Sequence, residues 1–218
     1  MARVTSFDGT LDTCVLYPIT LCDTLLRFAE DGFYRPHWSQ ETLGELVRNL
    51  VSQSGLSQEA AQRRVDHMTA AFPEALVDGY QRLVPVMPND PKDRHVLAAA
   101  VKSGSQIIVT SNLRHFPADI LREFNVEAQP PDLFLLHQSN LDPRACVSLL
   151  RRQAADKSRP PRRTAEVLSR LEVNAPTFVH AMRLLMGLKT EGELSLPEAF
   201  AALEAELTAV RIRHRKAS

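Results

Sequence analysis

Cysteine is scarce in this 218-residue chain: there are three, Cys14, Cys22 and Cys146, an odd number with no close-spaced pair. That excludes a disulfide framework and a zinc knuckle, and it fits a reducing cytoplasm. Long apolar runs are missing as well. No stretch approaches the roughly 18 residues that a membrane-spanning helix needs, and the N-terminus has neither the basic nor the apolar region of a secretion signal. A cytoplasmic protein without a membrane partner is the expectation. There is no internal repeat and no net charge, with 26 basic residues against 26 acidic ones.

What is present is ordinary in amount and uneven in placement. The 44% hydrophobic and 24% charged content is that of a globular protein. The length allows one large domain, or one domain with a helical appendage. Residues 1–140 carry 12 basic and 17 acidic side chains, a net of −5, whereas residues 141–218 carry 14 and 9, a net of +5. An acidic front half suits a site that concentrates carboxylates, and a basic back half suits a polyanion. Mutual attraction of the two halves accounts for the asymmetry equally well.

Periodicity gives the elements. Residues 3–11 read as a first strand, weakened by Gly9, and 20–30 as a helix with Leu21, Leu25, Leu26 and Phe28 apolar, closed by Asp31-Gly32. Residues 33–38 read as a second strand. Ser39 caps a helix over 40–53 with Leu43, Leu46, Val47 and Leu50 inward, and Ser57 caps another that runs to 71. Residues 83–87 are strand-like. Asp90 then reads as an N-cap and Pro91 as the first helical residue, which puts Asp93 in the first turn of an alanine-rich helix. A strand over 106–110, a helix over 118–124 and a last strand over 126–128 follow. Strands alternating with helices predict an α/β fold with a mostly parallel sheet. From Asp142 the texture is helical, with a Pro/Arg-rich link over 157–163 and helix patterns over 164–171, 176–186 and 196–210.

In an open parallel sheet, functional groups gather beyond the carboxyl ends of the strands. Asp12 lies just past the first strand, Asp93 at a helix start, and Thr110-Ser111-Asn112 at the end of another strand. Glu45 sits on its helix flanked by apolar Leu43, Leu46 and Val47, a position that borders the core rather than open water. Taken singly, each has a plain structural reading as a turn former, a solvated charge or a helix-dipole partner. Together they are different, because unit charges about 4 Å apart repel by about 4 kcal/mol at an effective dielectric of 20. Three carboxylates sharing a cleft need a cation or protons. Carboxylates with water ligands suit Mg²⁺ or Mn²⁺, which leave positions for phosphate oxygens.

Four motifs stand in order: Leu11-Asp12-Thr13-Cys14-Val15-Leu16-Tyr17-Pro18, Thr42-Leu43-Gly44-Glu45-Leu46, Asp90-Pro91-Lys92-Asp93-Arg94-His95-Val96-Leu97-Ala98, and Val109-Thr110-Ser111-Asn112-Leu113-Arg114-His115-Phe116. This set resembles a PIN domain, and especially the VapC-type toxins of bacterial toxin–antitoxin pairs. The resemblance covers residues 1–138. Residues 139–163 are expected to form a linker and connecting helix, and 164–218 a helical C-terminal region similar to the extension of one subgroup of such toxins.

The resemblance implies a three-layer α/β/α fold and a toxin endoribonuclease, silenced by a cognate antitoxin, that hydrolyses RNA phosphodiester bonds. Asp12, Glu45 and Asp93 would hold Mg²⁺ or Mn²⁺, with Asn112 completing the catalytic set. Asp90 and Thr110 would support them from behind, and Glu41 is the other candidate for the helix acid. Many family members carry an aspartate where this chain has Asn112, which favours one well-held ion over two. PIN domains commonly dimerise, so a homodimer is an expectation. Arg211, Arg213, Arg215 and Lys216 suit RNA phosphates, and equally a solvated helix end. Trp38 and Tyr34 suit base stacking or the core. His95 and His115 are candidate proton-transfer groups.

Two rivals compete. One is a PIN-like RNA- or protein-binding module without cleavage, which retention of Asp12, Glu45 and Asp93 disfavours. The other comes from Phe7-Asp8-Gly9-Thr10-Leu11-Asp12, which resembles the first motif of haloacid-dehalogenase-type phosphatases. That chemistry needs an aspartate nucleophile where this chain has Ser6, and later adjacent aspartates that it lacks.

Overall fold

The computed structural model describes residues 7–156 and 163–188. Four short strands form one parallel sheet: β1 (Asp8–Leu11), β2 (Arg35–His37), β3 (Ile107–Val109) and β4 (Glu127–Gln129), in the order β2-β1-β3-β4. The chain leaves β1 for β2 on one side and later returns to β3 on the other. The switch point therefore lies between the carboxyl ends of β1 and β3, where such sheets open a crevice.

In chain order the helices are α1 (Thr13–Leu16), α2 (Ile19–Glu30), α3 (Gln40–Ser54), α4 (Gln58–Ala71), α5 (Arg94–Ser103), α6 (Ala118–Arg122), α7 (Pro131–Leu141), α8 (Pro143–Asp156), α9 (Thr164–Leu171) and α10 (Pro176–Leu185). The sequence specifies several ends. Ser39 Oγ accepts from the Thr42 amide at 3.0 Å, and Ser57 Oγ from the Ala60 amide at 3.2 Å, so α3 and α4 start with an orphan donor satisfied. Gly55 (φ 65°) ends α3 and Gly104 (φ 73°) ends α5, each in the left-handed region that a side chain resists.

Alternation along β3 separates two cores. Ile107 and Val109 turn toward Leu11, Val15, Leu16, Leu25, Phe28 and Trp38, while Ile108 turns toward α5 and Phe116. This is the three-layer α/β/α arrangement expected. Ala98, Ala99 and Ala100 of α5 are wholly buried, and these small side chains let α5 lie close against β1 and β3. The first core runs without a break into α8, α9 and α10 through Cys146, Leu149, Leu150, Leu168, Leu171 and Phe178. No helix among the described residues is long and apolar enough to cross a membrane.

Two expectations are corrected. The strand-like residues 83–87 instead hold a 3₁₀ turn at Val84–Val86, directly after another at Tyr80–Arg82. Pro85 has no amide to give to a ladder and fixes its own φ, and Val86 is left 69% exposed. The helix expected to begin at Asp90 and Pro91 begins at Arg94. Asp90 instead makes a tight turn: its Oδ1 accepts from the Lys92 amide at 3.0 Å, and its carbonyl accepts from the Asp93 amide at 2.9 Å. Asp93 thus takes the N-cap position without using its side chain as a cap. The helix pattern over 196–210 and most of the link over 157–163 lie outside the described residues.

Candidate metal-binding active site

Asp12 follows β1 directly and Thr110 follows β3, so parallel pairing places them side by side at the switch point. The Asp12 amide donates to Val109 O at 3.1 Å, and Thr110 Oγ1 donates to Asp12 Oδ2 at 2.6 Å. Cys14 Sγ adds a second donor to Oδ2 at 3.2 Å and accepts from the Ser111 amide at 3.2 Å. Oδ1 accepts none of these bonds. Asp12 is 5% exposed, and among the described residues no basic side chain pairs with it. Burial and the neighbouring Asp12 charge push the Cys14 thiol up to about 12, so it stays a neutral donor. Behind Asp12, Arg64 of α4 donates to the carbonyls of Leu16 and Tyr17 at 2.5 and 3.2 Å and holds the far end of α1.

Glu45 comes from α3 to the same place. Its Oε2 accepts from Thr13 Oγ1 at 2.8 Å, one residue beyond Asp12, and lies 3.8 Å from His95 Nε2. Arg48 is looser, 4.0 Å from Oε1. Glu41, one helical turn earlier, is held by the Tyr80 hydroxyl instead.

Asp93 completes the cleft. Its Oδ2 lies 2.5 Å from His115 Nδ1 and 3.4 Å from Asn112 Nδ2. The Asn112 amide N–H bonds Thr110 Oγ1 at 3.0 Å, and its Oδ1 accepts from Arg114 Nε at 3.1 Å. Asn112 therefore presents a donor to Asp93, rather than a ligand oxygen. His115 Nε2 is 3.7 Å from Asp90 Oδ2, so Asp90, Asp93 and His115 form a compact group able to surround one cation. Burial raises the Asp93 pKa above its ordinary value; the His115 hydrogen bond offsets part of that, and the Asp12 charge adds to it. That last influence ties Asp12 and Asp93 into one electrostatic unit.

The donor set fits a hard divalent ion. A buried carboxylate with a free oxygen, a second one made costly by the first, and a third nearby are what such an ion offsets. The compact group is centred on Asp90, Asp93 and His115 rather than on Asp12 and Glu45. Cys14 and Thr13 are the participants that sequence patterns do not single out, because they reach the acids only through tertiary contacts, whereas His115, a candidate proton-transfer group by sequence, is found beside Asp93. Trp38 and Tyr34 are 0% and 1% exposed and belong to the core. Arg211, Arg213, Arg215 and Lys216 lie outside the described residues.

Asp8, the residue on which the phosphatase resemblance turns, is at the opposite end of β1. It pairs with Arg35 at 2.6 and 2.8 Å and with His37 at 2.8 Å. Burial acts to raise its pKa, but these partners outweigh burial and hold the carboxyl below its usual range. Asp8 and Asp12 are four strand steps apart, about 13 Å, so they do not share one active site.

Thr110→Val keeps the shape and removes the donor to Asp12. If the cleft holds a divalent ion, the expected result is a loss of Mn²⁺ affinity of about 10–100-fold, the scale for groups that orient a ligand, with the circular dichroism spectrum unchanged. Unchanged affinity in the Val variant would reduce Thr110 to a space-filling strand residue.

The PIN domain family profile matches residues 10–114, and the VapC50 C-terminal domain profile matches residues 131–184. A curated relative from Mycobacterium tuberculosis (strain ATCC 25618 / H37Rv), named "Putative ribonuclease VapC50", is 39% identical over 111 residues. That alignment spans 51% of this chain and 66% of the relative's own length. No solved structure gives a significant match.

Proposed function

We propose that this chain, which belongs to the VapC-type PIN-domain proteins and carries a VapC50 C-terminal domain, is a toxin endoribonuclease. In this reading it acts in the cytoplasm and is held in check by a small cognate antitoxin. The observation that carries the reading is the buried Asp12 at the switch point, electrostatically joined to Asp93 and paired with no basic side chain among the described residues. Asp12, Glu45 and Asp93 would hold Mg²⁺ or Mn²⁺, with Asp90 beside them. Such an ion supplies Lewis acidity toward a phosphate and makes water a stronger acid at neutral pH.

The chain's own residues do the positioning. Thr110 and Cys14 hold Oδ2 of Asp12 and leave Oδ1 for the ion, while Thr13 fixes Glu45. His115 and the Asn112 amide orient Asp93. The nuclease activity would reside in residues 1–138, with 139–163 as a connecting segment and 164–218 as a C-terminal region whose Arg211, Arg213, Arg215 and Lys216 would grip RNA phosphates. A protein partner finds support in an apolar groove of about 1240 Å³ between α2, α3 and α4. Ile19 and Leu56 line it while 53% and 39% exposed.

Expression in a bacterial host tests the reading. Growth should arrest and resume when the antitoxin is co-expressed. The purified chain should cut RNA in Mn²⁺ or Mg²⁺ and lose that activity in excess EDTA. Cleavage that persists in EDTA removes the metal from the mechanism. RNA binding without cleavage in Mn²⁺ supports the binding module instead.

A further inference from the structure

Arg114 stands beside the acidic cleft and closes on none of its carboxylates. Elsewhere the arginines of this fold behave differently. Arg27, Arg35, Arg152 and Arg183 each reach a carboxylate at 3.0 Å or less. Arg114 is exposed, on the turn between β3 and α6, and its Nε donates to Asn112 Oδ1 at 3.1 Å. Among the described residues its two Nη groups have no bond and no ion pair.

Asn112 is what keeps the charge unspent. A guanidinium can only donate, so the amide oxygen must face Arg114 and the amide nitrogen turns toward Asp93 Oδ2, 3.4 Å away. The guanidinium is thereby tethered one side-chain amide from Asp93, by a neutral oxygen. An aspartate at this place would pair with Arg114 and cancel its charge, and it would also repel Asp93. The amide does neither.

Charge balance says what the unspent guanidinium is for. The four carboxylates of Asp12, Glu45, Asp90 and Asp93 outweigh the double charge of one divalent ion, so an approaching phosphate still meets net negative charge. A further positive group is needed at the rim. Arg48 is the weaker candidate, since it already lies 4.0 Å from Glu45 Oε1. Arg114 offers two parallel N–H groups in the fork geometry that matches phosphate oxygens.

We propose that the two Nη groups of Arg114 bind a phosphate of the RNA at the mouth of the cleft, making Arg114 a substrate-binding residue of the site. The inference rests on the metal-nuclease reading above and deepens it, by naming a group that seats the substrate.

The salt dependence of RNA binding tests this without reference to cleavage. The full chain is titrated in Ca²⁺, which also takes oxygen ligands, with a labelled single-stranded RNA of mixed sequence. Each phosphate neutralised on a single strand contributes about 0.7 to the slope of log affinity against log salt. Arg114→Gln should lower that slope by about 0.7 and weaken binding about tenfold at low salt, with Mn²⁺ affinity unchanged. Arg114→Lys keeps the charge without the fork, so it should restore the slope and only part of the affinity. Arg151→Gln, at an exposed arginine of α8, should match the wild type. The same differences in slope should appear in kcat/KM for RNA cleavage in Mn²⁺.

An unchanged slope in Arg114→Gln overturns the inference. If that unchanged slope comes with weaker Mn²⁺ binding, Arg114 serves only to hold Asn112. An equal loss of slope in Arg151→Gln also overturns it, because RNA would then be meeting diffuse surface charge. These results leave the metal-nuclease reading standing wherever the wild type cuts RNA in Mn²⁺. A wild type that cuts no RNA in Mn²⁺ or Mg²⁺ removes that reading and the inference that rests on it.

Discussion

Asp12→Asn is expected to abolish growth arrest and to lower RNA cleavage by about 10²–10³-fold, the scale for losing one preorganised electrostatic group. The same variant should melt higher than the wild type in the absence of metal. Asp12 is buried with no basic partner among the described residues, and its charge opposes ionisation of Asp93. Removing it relieves repulsion; a gain of about 1 kcal/mol corresponds to about 2–4 °C for a chain of this size. Activity and stability therefore move in opposite directions, which distinguishes loss of function from loss of fold.

The pH dependence follows from Asp93. Burial raises its pKa, His115 counteracts, and the Asp12 charge raises it further. A carboxyl whose pKa is higher in the folded state contributes stability that is complete below the unfolded value. That stability is lost as pH rises through the folded value. The metal-free wild type and Asp12→Asn should therefore melt alike at acid pH, where Asp93 is protonated and no longer repelled, and diverge as pH rises toward neutrality. Melting curves of metal-free protein across pH 3–8 check this. A variant that melts lower at every pH would mean that Asp12 is a structural group.

The second large effect is expected from truncation after Leu141: the remaining chain should not fold. Helices α8 to α10 are not a separate body, because their buried side chains share one core with β1 and α2. Phe178 meets Phe28 edge-on, with ring centroids 6.0 Å apart. Gln153, wholly buried, donates to Thr20 O at 3.2 Å and accepts from Thr24 Oγ1 at 3.0 Å. Asp132 of α7 accepts from the amides of Thr177 and Phe178 at the start of α10, at 3.1 and 2.7 Å.

Burying a Leu, Val or Phe side chain is worth about 1.5–3 kcal/mol. Leu149, Leu150, Leu168, Leu171, Phe178 and Val179 are all wholly buried. Their removal is thus comparable to the stability of a whole domain, about 5–15 kcal/mol. Within the full chain, Phe178→Ala should cost about 3–5 kcal/mol, read as a lower denaturant midpoint. A fragment ending at Leu141 that melts cooperatively would instead make the helical region a dispensable cover.

Some of this protein is determined locally, and the sequence by itself is enough for it. The caps at Ser39 and Ser57, the apolar faces of α2 and α3 and the alternation along β3 are each decided by neighbours a few residues away. The α/β alternation and the order of the four motifs follow from the same local rules. Where local rules compete, the sequence is ambiguous. Val84-Pro85-Val86 has the residues of a strand and Asp90-Pro91 those of a helix start, yet the proline's missing amide and the Asp90 turn decided both otherwise.

The site needs tertiary structure for a different reason. Asp12, Glu45 and Asp93 are distant in sequence, and only parallel pairing of β1 with β3 sets Thr110 against Asp12. Glu41 and Glu45, one turn apart on α3, are likewise told apart only by their tertiary partners, Tyr80 for the first and Thr13 for the second.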